Sequence, residues 1–175
     1  MIIPPWREEA ISRLHNRESF DCGETALNDF LQRHARRSHE QGGAKTFVAV
    51  DEQDGKTILG FYSLSAASVD YARTPAVVKR GLARYDVPCF RLARLGVDRK
   101  FHGQGLGAHL LLKAGERCLR AAAEVGGIAI LIDAKNEKVA TWYRRFGAIA
   151  LDDAPLALLL PLSTIEAALK AAGRR

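Results

Sequence analysis

Three glycines at alternate positions, Gly103, Gly105 and Gly107, follow an apolar run and open a stretch with helical spacing. A glycine loop between a strand and a helix grips phosphate, because a backbone without Cβ atoms approaches the anion closely. The helix N-terminus then offers free N–H groups and a favourable dipole. Gly103-x-Gly105-x-x-Ala108 also satisfies the dinucleotide fingerprint G-x-G-x-x-G/A. A dinucleotide fold, however, opens with that strand and loop. Here a hairpin and a further strand precede it, and too little chain follows to supply the remaining strands. The phosphate-binding pattern G-x-x-x-x-G-K-[ST] is absent, which removes an ATPase reading.

Other reactive side chains are sparse. Cys22, Cys89 and Cys118 are odd in number and far apart, without a C-x-x-C pair, so they read as idle thiols rather than a disulfide framework or zinc knuckle. The pairs His34/His39 and His102/His109 do not place two imidazoles on one helix face, so no metal site is expected. From Tyr71 to Gly115 there is no glutamate, and Asp86 and Asp98 fall in loops, so the strand beside the glycine loop lacks an obvious general base. Tyr143 lies between Trp142 and Phe146, a spacing that by itself describes aromatic packing on a helix.

The elements that must position these residues follow from periodicity. Asp21 with Gly23-Glu24-Thr25 predicts a helix start, and Leu27, Phe30, Leu31, His34 and Ala35 recur on one helical face until Gln41-Gly42-Gly43. Arg33, Arg36 and Arg37 cluster toward its C-terminal end, where cations also complement the helix dipole. Thr46–Val50 and Ile58–Leu64 predict an antiparallel hairpin across Asp51–Gly55, and Phe90–Val97 a third strand running into the glycine loop. A long amphipathic helix runs from Leu106 to Gly126-Gly127, and Ile128–Ile132 is apolar without alternation, as in a strand covered on both faces. Asn136–Phe146 predicts a short helix stopped by Gly147, Leu156–Leu160 a strand, and Ser163-x-x-Glu166 a capping box opening a terminal helix. The expected architecture is α/β in the α+β sense, a mixed sheet with helices on both faces.

The 175 residues suit a single domain over 1–175, and 47% hydrophobic content supplies a core. No repeat, linker, signal peptide or membrane span is expected, and a reducing cytoplasm suits the thiols. Net charge is +6, and from Arg73 to Lys100 eight basic residues face only Asp86 and Asp98. Such a surplus attracts polyanions, either the phosphates of a cofactor or a nucleic-acid backbone.

The stretch Leu95-Gly96-Val97-Asp-Arg-Lys-Phe-His102-Gly103-Gln104-Gly105-Leu106-Gly107 resembles motif A of the GNAT acetyltransferases, V-x-x-x-x-[QR]-x-x-G-x-[GA]. The resemblance implies a GNAT fold with a central, mostly antiparallel sheet and acetyl-CoA as cosubstrate. It implies that the amides of Gly103 to Ala108 hold the pyrophosphate and that the end of the strand, Leu95 to Val97, meets the pantetheine. His102 stands where the family usually has Gln or Arg. Asn136-x-x-x-Ala140-x-Trp142-Tyr143-x-x-Phe146-Gly147 is similar to a second family segment, in which Asn136 lies near the cofactor and the tyrosine near the thioester sulfur. Tyr143 is then the candidate general acid, protonating the departing thiolate, a role worth roughly 10²–10⁴ in rate.

Phe20-Asp-Cys22-Gly23-Glu-Thr-Ala-Leu27-Asn-Asp-Phe30-Leu31, Thr46–Ala49, Gly60–Ser65, Arg91–Leu95 and the Tyr143 segment are similar to the TacT-type GNAT toxins of bacterial toxin-antitoxin pairs. That resemblance implies acetylation of the α-amine of aminoacyl-tRNA, a block of translation, a ribbon-helix-helix antitoxin and a homodimer in the bacterial cytoplasm. Arg33, Arg36, Arg37, Arg80, Arg84 and Arg91 are the candidate tRNA contacts. An α-amine, with an ordinary pKa of roughly 7.7–8.0, is partly nucleophilic at neutral pH without a strong base. Two other readings stand beside this one: a GNAT enzyme for a small amine or a protein N-terminus, and a catalytically idle acetyl-CoA-binding module.

Overall fold

The computed structural model describes residues 1–173. Its strands are β1 (Trp6–Ala10), β2 (Lys45–Asp51), β3 (Ile58–Val69), β4 (Val87–Val97), β5 (Ala129–Asp133), β6 (Ile149–Leu151) and β7 (Ala154–Pro161), and they form one sheet in the order β1-β2-β3-β4-β5-β7-β6. The β1–β2, β2–β3, β5–β7 and β6–β7 pairings are antiparallel and β4–β5 is parallel, so the sheet is mixed and mostly antiparallel, as expected. The predicted hairpin is present. Its turn is set by the Asp54 carboxylate, which accepts from the amides of Lys56 and Thr57, and by Gly55 at φ +64°.

The chain folds as two compact units, Met1–Ser65 with Ala93–Lys113, and Ala66–Leu92 with the residues from Ala114 onward. The first has an aromatic core of Phe20, Phe30 and Phe61, with Leu31, Val48 and Ile58 around it. Phe20 meets Phe61 edge-on at 5.5 Å, and Gly60 lets Leu110 of the long helix approach so closely that a Cβ there would lie 2.8 Å from its Cδ1. The second is aliphatic, built on Val69, Ala129, Leu131, Leu151 and Leu159. Its strand β5 is flanked by β4 and β7, and Ala129, Ile130, Leu131 and Ile132 are all buried, which explains an apolar run without alternation.

The helices are α1 (Thr25–Asp29), α2 (Ala35–Glu40), α3 (Ala76–Lys79), α4 (Leu106–Val125), α5 (Glu137–Arg144) and α6 (Leu162–Ala171). Several expectations need correction. The first helix is interrupted by a π-helical turn, Phe30–His34, closed by the bond from Ala35 N–H to the Phe30 carbonyl. It starts at Thr25 with Glu24 in the cap position, while Asp21 instead accepts from Gly23 N and the Asn28 amide. The capping box at Ser163 does not form, because β7 runs directly into α6 with Pro161 as the cap residue and Ser163 already inside the helix. Two strands went unpredicted: β1 carries Arg7, Glu8 and Glu9 and so shows no apolar alternation, and β6 has only three residues.

Candidate active site

The glycine loop has the backbone its composition demands. Gly103 and Gly105 adopt φ +75° and +83°, conformations that side chains with a Cβ rarely take, and a Cβ at either would meet nothing within 4 Å. These glycines are therefore required for chain direction and for an open surface, not for packing. The first intrahelical bond of α4 runs from His109 N to Gly105 O at 3.1 Å. The amides of Leu106, Gly107 and Ala108 precede it and have no intrahelical acceptor, the arrangement that receives a phosphate.

The loop is tethered at both ends. His102 is exposed, and its Nε2–H donates to the Val97 carbonyl at 2.7 Å, so the side chain closes the loop onto the end of β4. Gln104 turns toward the N-terminal segment: its amide nitrogen donates to the Met1 carbonyl at 2.5 Å and its oxygen accepts from Ile3 N at 3.1 Å. Asp98, buried just past β4, accepts from Lys100 N and from Asp21 N. It is thus committed to holding the chain entering the loop. Asp86 is exposed in the segment before β4. Both carboxylates lie outside the strand, one on either side of it.

Tyr143 sits on α5, 7% exposed, with its ring edge-on to Trp142 at 4.9 Å; Trp142 in turn packs against Phe146 at 4.8 Å. Burial pushes its phenol up to about 12, so it stays protonated at every physiological pH. Among the described residues no side chain or carbonyl hydrogen-bonds its hydroxyl. A protonated phenol on a largely buried ring, its hydroxyl not engaged by the protein, is suited to donate to a developing anion. Asn136 serves as the N-cap of α5, its side-chain oxygen accepting from Val139 N at 3.0 Å. The cysteines are unsuited to nucleophilic work, since burial pushes Cys89 to about 11 and Cys118 to about 12.

The six candidate arginines divide. Arg33 and Arg37 line one cavity of about 400 Å³ together with His34, Ser38, Gln41 and Gly43. Arg36 does not join them: it pairs with Glu40 at 2.9 Å, and its buried Nε has no acceptor. Arg80 and Arg84 are exposed on the segment following α3. Arg91 is half-exposed and paired with Asp133 of the adjacent strand. Sequence reasoning passed over Arg94, whose guanidinium lies 3.8 Å above the Phe30 ring. In the sequence it was one of the eight basic residues from Arg73 to Lys100 and nothing singled it out.

A family model for the acetyltransferase (GNAT) domain matches residues 42–147. The chain is 40% identical over 149 residues to the tRNA-acetylating toxin of Mycobacterium tuberculosis, covering 85% of this chain and 87% of that protein. Among solved structures, AtaT complexed with acetyl-methionyl-tRNAfMet superposes with a TM-score of 0.87 at 29% identity, covering 94% of this chain and 99% of that one. A tyrosine-to-phenylalanine mutant of AtaT, bound to the C-terminus of the antitoxin AtaR and acetyl-CoA, gives a TM-score of 0.79 at 29% identity, over 94% of this chain and 98% of that one. With one domain family matching more than half of its length and a 40% identical relative spanning most of it, the chain belongs to the GNAT acetyltransferases.

Proposed function

We propose that this GNAT enzyme transfers the acetyl group of acetyl-CoA to the α-amine of an aminoacyl group carried on tRNA, and so blocks translation. The observation that carries the reading is the likeness, over 94% of the chain, to AtaT in complex with acetyl-methionyl-tRNAfMet. The 40% identical tRNA-acetylating toxin supports the same substrate.

The residues fit the cosubstrate. The open surface at Gly103 and Gly105 and the unengaged amides of Leu106 to Ala108 suit the pyrophosphate. The main chain of Leu95 to Val97 suits the pantetheine. The amine attacks the thioester carbonyl, a C–N bond forms, the C–S bond breaks, and the ammonium proton leaves to solvent. The acceptor amine has a pKa of roughly 8 or less, so its neutral form is available without a dedicated base. Tyr143 is the residue we assign to the leaving thiolate. At about 12 its phenol is a weaker acid than an ordinary thiol at roughly 8.5, so its contribution is a hydrogen bond that strengthens as charge develops on sulfur.

Arg33 and Arg37, lining one cavity, are the best candidates among the basic residues for the RNA backbone, with Arg80 and Arg84 next. Arg33, Arg36 and Arg91 are each paired with a carboxylate, Arg33 with Asp29 at 3.0 Å, so of the two arginines lining the cavity Arg37 is the better placed. An antitoxin of the ribbon-helix-helix type and a homodimer complete the proposal, and an aminoacyl-tRNA substrate sets the reaction in the bacterial cytoplasm. No helix among the described residues is long and apolar enough to cross a membrane.

The test is to supply radiolabelled acetyl-CoA with total aminoacyl-tRNA, deacylated tRNA or a panel of small amines and locate the label. Label on charged tRNA alone is expected. Label confined to small amines would overturn the assignment of substrate while leaving the acetyltransferase chemistry intact.

A further inference from the structure

The guanidinium of Arg94 lies on the Phe30 ring, 3.8 Å from its centroid, where a π-helical turn interrupts the first helix. Phe30 is itself fixed, 7% exposed and stacked on Phe61 at 6.4 Å with 25° between the planes. The turn is closed by the Ala35 N–H bond to the Phe30 carbonyl, and such π turns recur at functional sites because they re-aim a side chain that a regular helix would place elsewhere. Arg94 is half-buried, and burial holds its guanidinium below the usual arginine range. Among the described residues no carboxylate pairs with it and no carbonyl accepts from it. That separates it from Arg33, Arg36, Arg73, Arg91, Arg99 and Arg144, each paired with an aspartate or glutamate.

Stacking satisfies the face of a guanidinium and leaves its edge, five N–H donors in a planar fork, for a ligand. A half-buried cation with that edge unpartnered is poised for an anion, and a fork matches the paired oxygens of a phosphate. Arg94 stands two residues before Gly96 on β4, the strand that runs into the glycine loop. Where the strand lacks a carboxylate that would serve as a base, it presents this cation. We propose that Arg94, braced by Phe30, is a substrate-positioning residue that binds a phosphodiester close to the aminoacyl end of the RNA acceptor. The inference rests on the aminoacyl-tRNA reading above and extends it to a residue absent from the six arginines considered there.

The test compares wild type, Arg94→Gln, Arg94→Lys and Phe30→Leu in acetyl transfer to aminoacyl-tRNA, over a range of salt. For Arg94→Gln the expected result is a roughly tenfold or larger rise in KM for aminoacyl-tRNA. The KM for acetyl-CoA stays unchanged, and the dependence of log KM on log salt becomes shallower by about 0.7–0.9, one phosphate's worth. Arg94→Lys keeps the salt slope and recovers part of the KM. Phe30→Leu keeps the charge and raises KM less than Arg94→Gln. In the wild-type protein, which needs no variant to fold, the side-chain Nε resonance of Arg94 is expected to shift when a CCA trinucleotide is added. A folded Arg94→Gln protein with the wild-type KM and salt slope would overturn the proposal, as would an Arg94 resonance that saturating trinucleotide leaves in place. If wild type itself labels only small amines, the substrate reading fails instead, so the two failures are distinct.

Discussion

In the proposed mechanism the glycine loop and α5 do their work by opposite means. The loop, residues 102–105, is exposed, and its function resides in main-chain N–H groups whose direction is set by two positive-φ glycines with open space beside them. On α5 the function resides in one hydroxyl, on a ring that is otherwise core: Tyr143 is 7% exposed and packs on Trp142. A site made of backbone depends on conformational freedom and tolerates changes in its intervening side chains. A site made of one buried side chain depends on a single atom and on the dryness around it. Substitutions should therefore separate the two cleanly, one region governing how well acetyl-CoA binds and the other how fast the bound thioester reacts.

The largest effect is expected from Tyr143→Phe. It removes only the oxygen and leaves the contact with Trp142, so stability and acetyl-CoA affinity should change little while kcat falls by roughly 10²–10⁴. Rapid-quench measurement of a single turnover reads this directly, and a wild-type rate would remove Tyr143 from the chemistry. The same hydroxyl has a signature in stability. Its pKa is raised in the folded state to about 12 from an ordinary value of about 10, so the associated stabilisation is fully present below pH 10 and is lost as pH rises through 12. That loss is roughly 2–3 kcal/mol at its limit. Denaturant titrations at pH 9 and pH 12 should show it in wild type and show less of it in Tyr143→Phe. The activity profile should rise with the amine's deprotonation and have no falling limb from this tyrosine below pH 10.

Gly105→Val tests the other region. A β-branched residue at φ +83° is strained by roughly 1–2 kcal/mol and projects a side chain onto the open surface. The KM for acetyl-CoA should rise tenfold or more, with little change in kcat at saturation. An equal fall in kcat would mean that the loop and α5 do not divide their labour as argued.

The contrast also explains what the sequence could disclose. The loop was legible because alternate glycines between a strand and a helix have few structural uses. The long helix and the hairpin were legible because α4 and the β2–β3 pair are strongly periodic or bounded by turn chemistry. Tyr143 was not separable from Trp142 and Phe146 by spacing, since all three repeat like a packed face, and only the family segment distinguished it. What marks it physically is the burial that raises its phenol pKa while the protein leaves its hydroxyl unengaged, a property of three-dimensional surroundings. β1 was missed because its Arg7-Glu8-Glu9 run looks like loop, although an edge strand pairing only with β2 is where such charges belong. The π turn at Phe30 and the stacking of Arg94 on it had no sequence signal, because an extra residue in a helical turn leaves the apolar spacing nearly intact.

The smallest effect, and the finest test of a main-chain site, is at His102. Its Nε2–H donates to the Val97 carbonyl, the strand-end oxygen that the family resemblance assigns to the pantetheine. A carbonyl has two lone pairs, so the imidazole and a ligand amide can both be accommodated, and the imidazole's role is to hold the loop against the strand. His102→Ala removes one hydrogen bond worth about 0.5–1.5 kcal/mol, which predicts a rise of about twofold to tenfold in the KM for acetyl-CoA and no change in kcat. His102→Gln supplies another N–H donor and should recover most of the loss. A variant that lowered the KM would mean that the imidazole competes with the pantetheine for Val97 rather than bracing it. The histidine would then weaken cofactor binding instead of shaping the loop for it.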